Sequence, residues 1–254
     1  MAGCFDFAIT LHTPYKLCDY KPAYGEIFAP ELEGYDFWGY GDIDLVFGDL
    51  RAYFTEDKLR KYDKFYAFGH LSLYRNTPEN NAVYRQKVGM DYHKAFTTRE
   101  ITVFDEVAGI AAKYKALGLP FYDRQDYADI SKASDRLAIT GIYTTSETRL
   151  HPNYPEQIFY YDHGRVLRDA YRDGQWLTDE FIYIHISSRR LPLHIDPAAD
   201  TYFIGKTGYE RKPGSPPGQT LPATTLWTRR RTKSSAAIGS GWICAAKSKK
   251  VLSV

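Results

Sequence analysis

Two aspartates one residue apart, Asp42 and Asp44, carry the most specific chemistry in this 254-residue sequence. They sit in YDFWGYGDIDLVFGDL, Tyr35 to Leu50. An aromatic, glycine-rich run (Phe37, Trp38, Gly39, Tyr40, Gly41) leads in, and an apolar run (Leu45, Val46, Phe47) leads out. If the stretch is a strand, its side chains alternate across two faces, so Ile43 and Leu45 share one and Asp42 and Asp44 the other. Two carboxylates a single pleat apart repel unless a cation lies between them, and a hard divalent cation with oxygen ligands is the usual answer. An isolated Asp-x-Asp also occurs on solvated strand faces and in turns. Here Gly39 and Gly41 open the backbone to a ligand, and the aromatic neighbours bury the strand around the acids.

The elements that must position this pair follow from pattern and punctuation. Ahead of it, Pro22 suits the first turn of a short helix with Ile27, Phe28 and Leu32 inward. Behind it, DLRAYFTEDKLRKYDKF reads as helical, with Asp49 or Thr55 as N-cap. AFGHLSLYRN reads as a buried strand entered through Gly69, and Thr77-Pro78-Glu79 opens another helix. REITVFDEVAGIAAKYKALG reads as a long helix, with Phe104, Val107, Ala111, Tyr114 and Leu117 periodic and Gly118 as its stop. Leu119 to Thr148 is ambiguous. IFYYDHGRVLRDAYR predicts a hairpin about Asp162-His163-Gly164. EFIYIHISSRRLPLH predicts one strand with Ile182, Ile184 and Ile186 on one face and Phe181, Tyr183 and His185 on the other. Helices interleaved with strands up to about residue 120, then a β-rich return, indicate an α/β or α+β fold with a mixed sheet.

Composition sets the outer limits. The chain is 44% hydrophobic and 16% aromatic, with 22 tyrosines, enough for one substantial core. Its net charge of +2 hides an asymmetry: from Gly205 onward there are ten Lys/Arg against one acid, leaving 23 basic and 30 acidic residues before it. The body is mildly acidic and gives no support for nucleic-acid binding. The segment from 205 to 254, rich in Pro, Gly, Ser and like charges, reads as a disordered basic tail. Its contact with anionic membrane surfaces would be weak. Cys4, Cys18 and Cys244 lack metal-ligand spacing and cannot all pair, which fits a reducing compartment. There is no signal-peptide pattern and no apolar run long enough to span a bilayer, so the expectation is a cytoplasmic protein.

The words PYKLCDYKPAYGEIF, GYDFWGYGDIDLVFGDL and YDKFYAFGHLSLYRN, in that order, resemble a family of uncharacterised bacterial proteins associated with surface-polysaccharide gene clusters. That family in turn resembles glycosyltransferases of the GT-A fold. The resemblance implies a GT-A-like mixed sheet flanked by helices over residues 14–204, with residues 1–13 unassigned and a hairpin-rich C-terminal half. It further implies a metal-dependent transferase using a nucleotide-sugar donor, a glycan or lipid-linked sugar acceptor, and Mn²⁺ or Mg²⁺ held against the donor diphosphate. Asp42 and Asp44 match the metal-binding acids. His185 resembles the histidine that completes the metal shell in several such groups, with His70, His151 and His163 as competitors. Lys16, Asp19 and Lys21 resemble donor-contacting residues, and Trp38, Tyr40, Gly41 and Ile43 surround the same donor side. Gly69, His70, Arg75 and Asn76 fall on the acceptor or sugar side. GT-A domains normally place a βαβ nucleotide-binding segment well before the acid pair, whereas 41 residues precede Asp42 here. The expected domain is therefore incomplete at its N-terminus, and the chain is a transferase or a truncated remnant of one.

Two other readings stand beside this one. DIDLV also fits the DxDx[TV] pattern of aspartate-nucleophile phosphohydrolases, in which the first acid attacks phosphorus and the second handles the proton. A degenerate binding protein that keeps the core without the chemistry is the non-enzymatic alternative.

Overall fold

The computed structural model describes residues 2–131, 137–140, 151–187, 189–211 and 242–246. In chain order its strands are β1 (Phe37–Gly41), β2 (Leu45–Phe47), β3 (Lys64–Phe65), β4 (Leu71–Arg75), β5 (Phe121–Tyr122), β6 (Ala128–Asp129) and β7 (Glu156–Asp162). They continue as β8 (Arg165–Arg172), β9 (Gln175–Phe181), β10 (Tyr183–His185), β11 (Thr201–Ile204), β12 (Tyr209–Arg211) and β13 (Trp242–Ala246). With the short helices between them, this is a mixed α/β chain. It divides into two compact units. One comprises Met1–Ile43, Phe54–Arg124 and Ile238–Val254, and the other Asp44–Tyr53 and Gln125–Ala237. The chain passes from one unit to the other between the two aspartates.

The first unit is built on a sheet of order β13-β1-β4-β3-β5, in which β3 and β5 pair parallel and the other neighbours antiparallel. All of β1 is buried. Its aromatic side chains form the core rather than a ligand platform. Trp38 stacks on Tyr74 at 4.6 Å between ring centroids and donates its indole N–H to Asn81 Oδ1 at 2.7 Å. The hydroxyls of Tyr40 and Tyr74 meet at 2.9 Å, so both buried phenols find a partner. Gly39 is required by packing, because a Cβ there would lie 2.6 Å from the Ser72 carbonyl oxygen. The unassigned N-terminal segment belongs to this unit as well: Phe5 packs edge-on against Phe96, and the Thr10 amide donates to the Phe96 carbonyl at 2.8 Å.

Two expectations fail here for identifiable reasons. The strand carrying Asp42 ends at Gly41, so the acid pair lies in the connection between β1 and β2, with Ile43 exposed. The helix expected from Arg99 begins only at Val107, where a π-type turn runs into the α-helix Ala112–Ala116. Upstream, the Thr102 and Phe104 amides donate to the Asp19 carboxylate at 3.0 and 2.9 Å, which takes them away from helical acceptors. The stop at Gly118 stands as read, with φ +63°. The helical stretch after β2 is two helices, Leu50–Tyr53 and Glu56–Lys61. Asp49 Oδ1 accepts from the Arg51 and Ala52 amides at the first, and Thr55 caps the second.

The second unit contains a sheet of order β2-β10-β6 and a larger antiparallel one, β12-β11-β7-β8-β9. The predicted hairpin is β7–β8, and its turn residues His163 and Gly164 take φ values of +47° and +85°, as a type I′ turn demands. The single strand expected at EFIYIHIS is two. β9 ends at Phe181 in one sheet, and β10 starts at Tyr183 in the other. The break resets the alternation, so Phe181, Ile184 and Ile186 share one core with Phe159 and Val166. The segment expected to be a disordered tail from Gly205 contributes β12, paired with β11, and β13, paired with β1. Residues 212–241 and 247–254 lie outside the described residues. Among the described residues no helix is long and apolar enough to cross a membrane.

Candidate functional site

Each unit holds a cluster of charged residues that the sequence singled out in part. In the first unit, β1 pairs with β4 along its length, and the Asp42 amide continues the ladder by donating to the His70 carbonyl at 2.9 Å. That bond aims the Asp42 carboxylate at Lys21. The Lys21 ammonium donates to Asp42 Oδ1 and the Gly69 carbonyl, both at 2.8 Å, and meets Asp105 Oδ2 at 3.2 Å. Burial alone would favour the neutral amine, but the charges of Asp105 and Asp42 outweigh it and hold the lysine's pKa above its ordinary value. Desolvation pushes Asp105 up to about 6 despite Lys21, and desolvation with the Asp105 charge pushes Glu106 up to about 7.

Gly69 is where this cluster touches the backbone. A Cβ at this position would sit 2.0 Å from Asp105 Oδ2 and 3.1 Å from Glu106 Oε1. Asp105 is short and buried, so it has little room to give way. Gly69→Ala is expected to destabilise the chain by about 1–3 kcal/mol through overpacking. Urea unfolding followed by circular dichroism checks this; a midpoint unchanged from the parent would refute the close approach.

In the second unit the site is set by strand register. His185 lies opposite Leu45 on β2 and opposite Asp129 on β6. Asp44 precedes Leu45, and its carbonyl accepts the Ile186 amide at 3.0 Å, which fixes it beside the histidine. His185 Nδ1 meets Asp129 Oδ1 at 2.7 Å, while Nε2 faces Asp44 Oδ2 at 3.4 Å. Ser187, held at φ +50°, adds a hydroxyl bond to Asp129 Oδ1 at 3.2 Å. Burial works against a charge on His185, yet the bonds from Asp129 and Asp44 and their charges raise its pKa to about 9.

Donor chemistry and spacing here fit a divalent cation. Asp129 fixes the ring through Nδ1, which presents Nε2 as the ligand atom, a common arrangement for metal-binding histidine. Ligand atoms each about 2.1 Å from a metal stand roughly 3.0–3.4 Å apart at octahedral to tetrahedral angles. The Nε2 to Oδ2 separation of 3.4 Å lies at the top of that range.

Most of the other sequence-derived candidates have partners inside the fold. The Lys16 ammonium is fully buried and donates to Asp19 and to the Ala95 and Glu100 carbonyls, and Asp19 is equally buried. This pair is a structural lock and presents nothing to a donor phosphate. Lys21 likewise positions Asp42 instead of facing a ligand. Trp38 and Tyr40 are core, and Gly41 is paired on both sides in the sheet. Arg75 is held by Asp63, by the Leu59 and Tyr62 carbonyls and by the Phe37 ring. Asn76 donates to the Leu32 and Tyr35 carbonyls. Among the competing histidines, His70 is buried with its ring parallel to Phe68. His151 contacts the Gln125 carbonyl, and His163 is an exposed turn residue. Asp129 escaped the sequence reading because its strand, Ala128–Asp129, is too short to show a period.

A mixed α/β fold with a histidine clamped between two carboxylates is the class these observations define. The chain belongs to the family of unknown function DUF6625, which matches residues 1–213, a span that includes the first thirteen residues and runs through β12. No curated protein and no solved structure matches it.

Proposed function

We propose that the chain is a divalent-cation-dependent transferase that takes a sugar from a nucleotide-sugar donor in the assembly of a cell-surface polysaccharide, on a GT-A-like fold. The observation that carries the reading is the Asp129–His185–Asp44 arrangement, in which one carboxylate holds the imidazole through Nδ1 and the other faces its Nε2. The resemblance of the Asp42-x-Asp44 stretch to the acid pair of GT-A transferases supplies the reaction class. Asp44 Oδ2 and His185 Nε2 would hold Mn²⁺ or Mg²⁺. Such a cation acts as a Lewis acid on the diphosphate leaving group. Asp129 holds the ring in its ligating orientation, and Lys21 fixes the Asp42 carboxylate through Oδ1.

Calorimetric titration with Mn²⁺ alone, then with UDP and GDP with and without Mn²⁺, tests this. The expected result is Mn²⁺ binding that weakens roughly tenfold or more in Asp44→Asn and in His185→Gln, with one nucleoside diphosphate binding only when metal is present. Equal Mn²⁺ affinity in the parent and both variants would remove the metal assignment. Metal binding without either diphosphate would remove the donor.

A further inference from the structure

The second unit also contains an open cavity of about 600 Å³ that begins at the residue after Asp44. Leu45 and Phe47 of β2 form one side. Tyr161 of β7 and Tyr202 of β11, directly paired across the strands, form another, with their rings stacked at 4.9 Å and 17°. Tyr209 of β12 stands edge-on to Tyr202 at 5.7 Å. The rim is built rather than loose: the His194 amide donates to the Tyr209 carbonyl and the Tyr209 amide to the Pro192 carbonyl, both at 2.9 Å. Asp200 lies on that rim and is exposed. Tyr209 is close enough to Asp44 for that charge to add to burial in raising its phenol pKa.

The charge of this lining selects the ligand class. Neither lysine nor arginine lines the cavity among the described residues, and its one formal charge is the Asp200 carboxylate. A diphosphate would therefore find repulsion and no cation. A neutral saccharide matches on both counts: aromatic faces cover the apolar C–H surface of a pyranose, while phenol hydroxyls and a carboxylate take its hydroxyl hydrogen bonds. The volume falls within the roughly 300–1,000 Å³ of small-ligand sites. From these features we infer that the tyrosine-lined cavity is the acceptor subsite, holding a neutral oligosaccharide with one end at Asp44. This rests on the transferase reading and adds to it the site and the uncharged character of the acceptor.

The test is saturation-transfer NMR on the full chain in EDTA without nucleotide. The probes are neutral di- and trisaccharides of hexoses and N-acetylhexosamines, with UDP and decanoate as alternative ligands. At least one saccharide is expected to bind, with affinity falling roughly three- to tenfold in Tyr202→Ala, falling less in Tyr202→Phe, which keeps the ring, and reduced in Asp200→Asn. Asp200 is exposed, so that variant reports on binding even where Tyr202→Ala fails to fold. Absence of saccharide transfer, transfer unaffected by the three losses of ring or charge at Tyr161→Ala, Tyr202→Ala and Asp200→Asn, or decanoate or UDP occupying the tyrosines instead would overturn the inference. Mn²⁺ titration of the same chains, exchanged into EDTA-free buffer, separates the two claims. Metal binding with no saccharide binding defeats the acceptor site alone, whereas saccharide binding by a chain that takes up no Mn²⁺ defeats the transferase reading.

Discussion

Replacing Asp19 by alanine is expected to cost the chain about 3–5 kcal/mol of stability, the range for breaking one side of a buried ion pair. Lys16 and Asp19 are both wholly inaccessible to solvent, with the ammonium 2.7 Å from Oδ2. Removing the carboxylate strands a buried cation and also leaves the Thr102 and Phe104 amides without their acceptor. Both losses fall on the segment that leads into Asp105 and Glu106, so the acidic cluster around Lys21 should loosen with it. Domains are typically stable by only about 5–15 kcal/mol, so the variant should be largely unfolded at modest urea concentrations. A paired replacement, Lys16→Met with Asp19→Leu, should recover part of the loss because no charge is left buried, although the two amides stay unpaired. Urea unfolding by circular dichroism measures all three chains. A loss below about 1 kcal/mol in Asp19→Ala would mean that water reaches the pair and that its burial is misjudged.

This pair also illustrates what a single sequence conceals. A lysine and an aspartate near a helix start look the same whether they face solvent, a phosphate or each other, and only Thr102 and Phe104, more than eighty residues away, decide the matter. The same long-range bonds explain why the apolar period in Arg99–Gly118 was misleading. Spacing reports which residues prefer the core, but a distant carboxylate captured the amides that would have started the helix. Local signals fared better where the physics is local. Thr55 and Thr77 cap their helices, Gly118 and Gly164 take positive φ, and β4 emerges after Gly69. The isoleucine-rich run around His185 predicts its strand, whereas its candidacy as a ligand rests on the resemblance alone. Asp129, which orients it, was not legible, since two residues of strand carry no pattern and its pairing with His185 is parallel and non-local.

The histidine clamp should make the metal-free chain less stable as pH rises from about 6.5 to about 9, by an amount on the order of 3 kcal/mol at most. The sign follows from proton counting. His185 holds its proton more tightly folded, with a pKa near 9, than unfolded, near the ordinary value of 6.5, so the native state binds more protons between those limits. The contribution is therefore complete below the unfolded value and is lost as pH climbs through the folded one. Other groups titrate in the same range. Glu106, raised by burial to about 7, also favours lower pH, and Lys64, lowered by burial to about 7, opposes it by binding its proton better when unfolded. The raw profile thus mixes signs, and the informative quantity is the difference between the parent and Asp129→Asn. Without the Asp129 charge the folded pKa of His185 should fall back toward its ordinary value, and this variant should lose most of the downward slope in EDTA. Urea midpoints taken at intervals between pH 6.5 and 9.5, with the His185 ring followed by NMR, give that difference directly. The same substitution removes the bond that fixes the ring, so Mn²⁺ affinity should fall by roughly 10–100-fold even though both ligating atoms remain. Parallel stability profiles and equal metal affinity in the two chains would show that Asp129 neither charges nor orients His185, and the clamp would then be an ordinary buried contact.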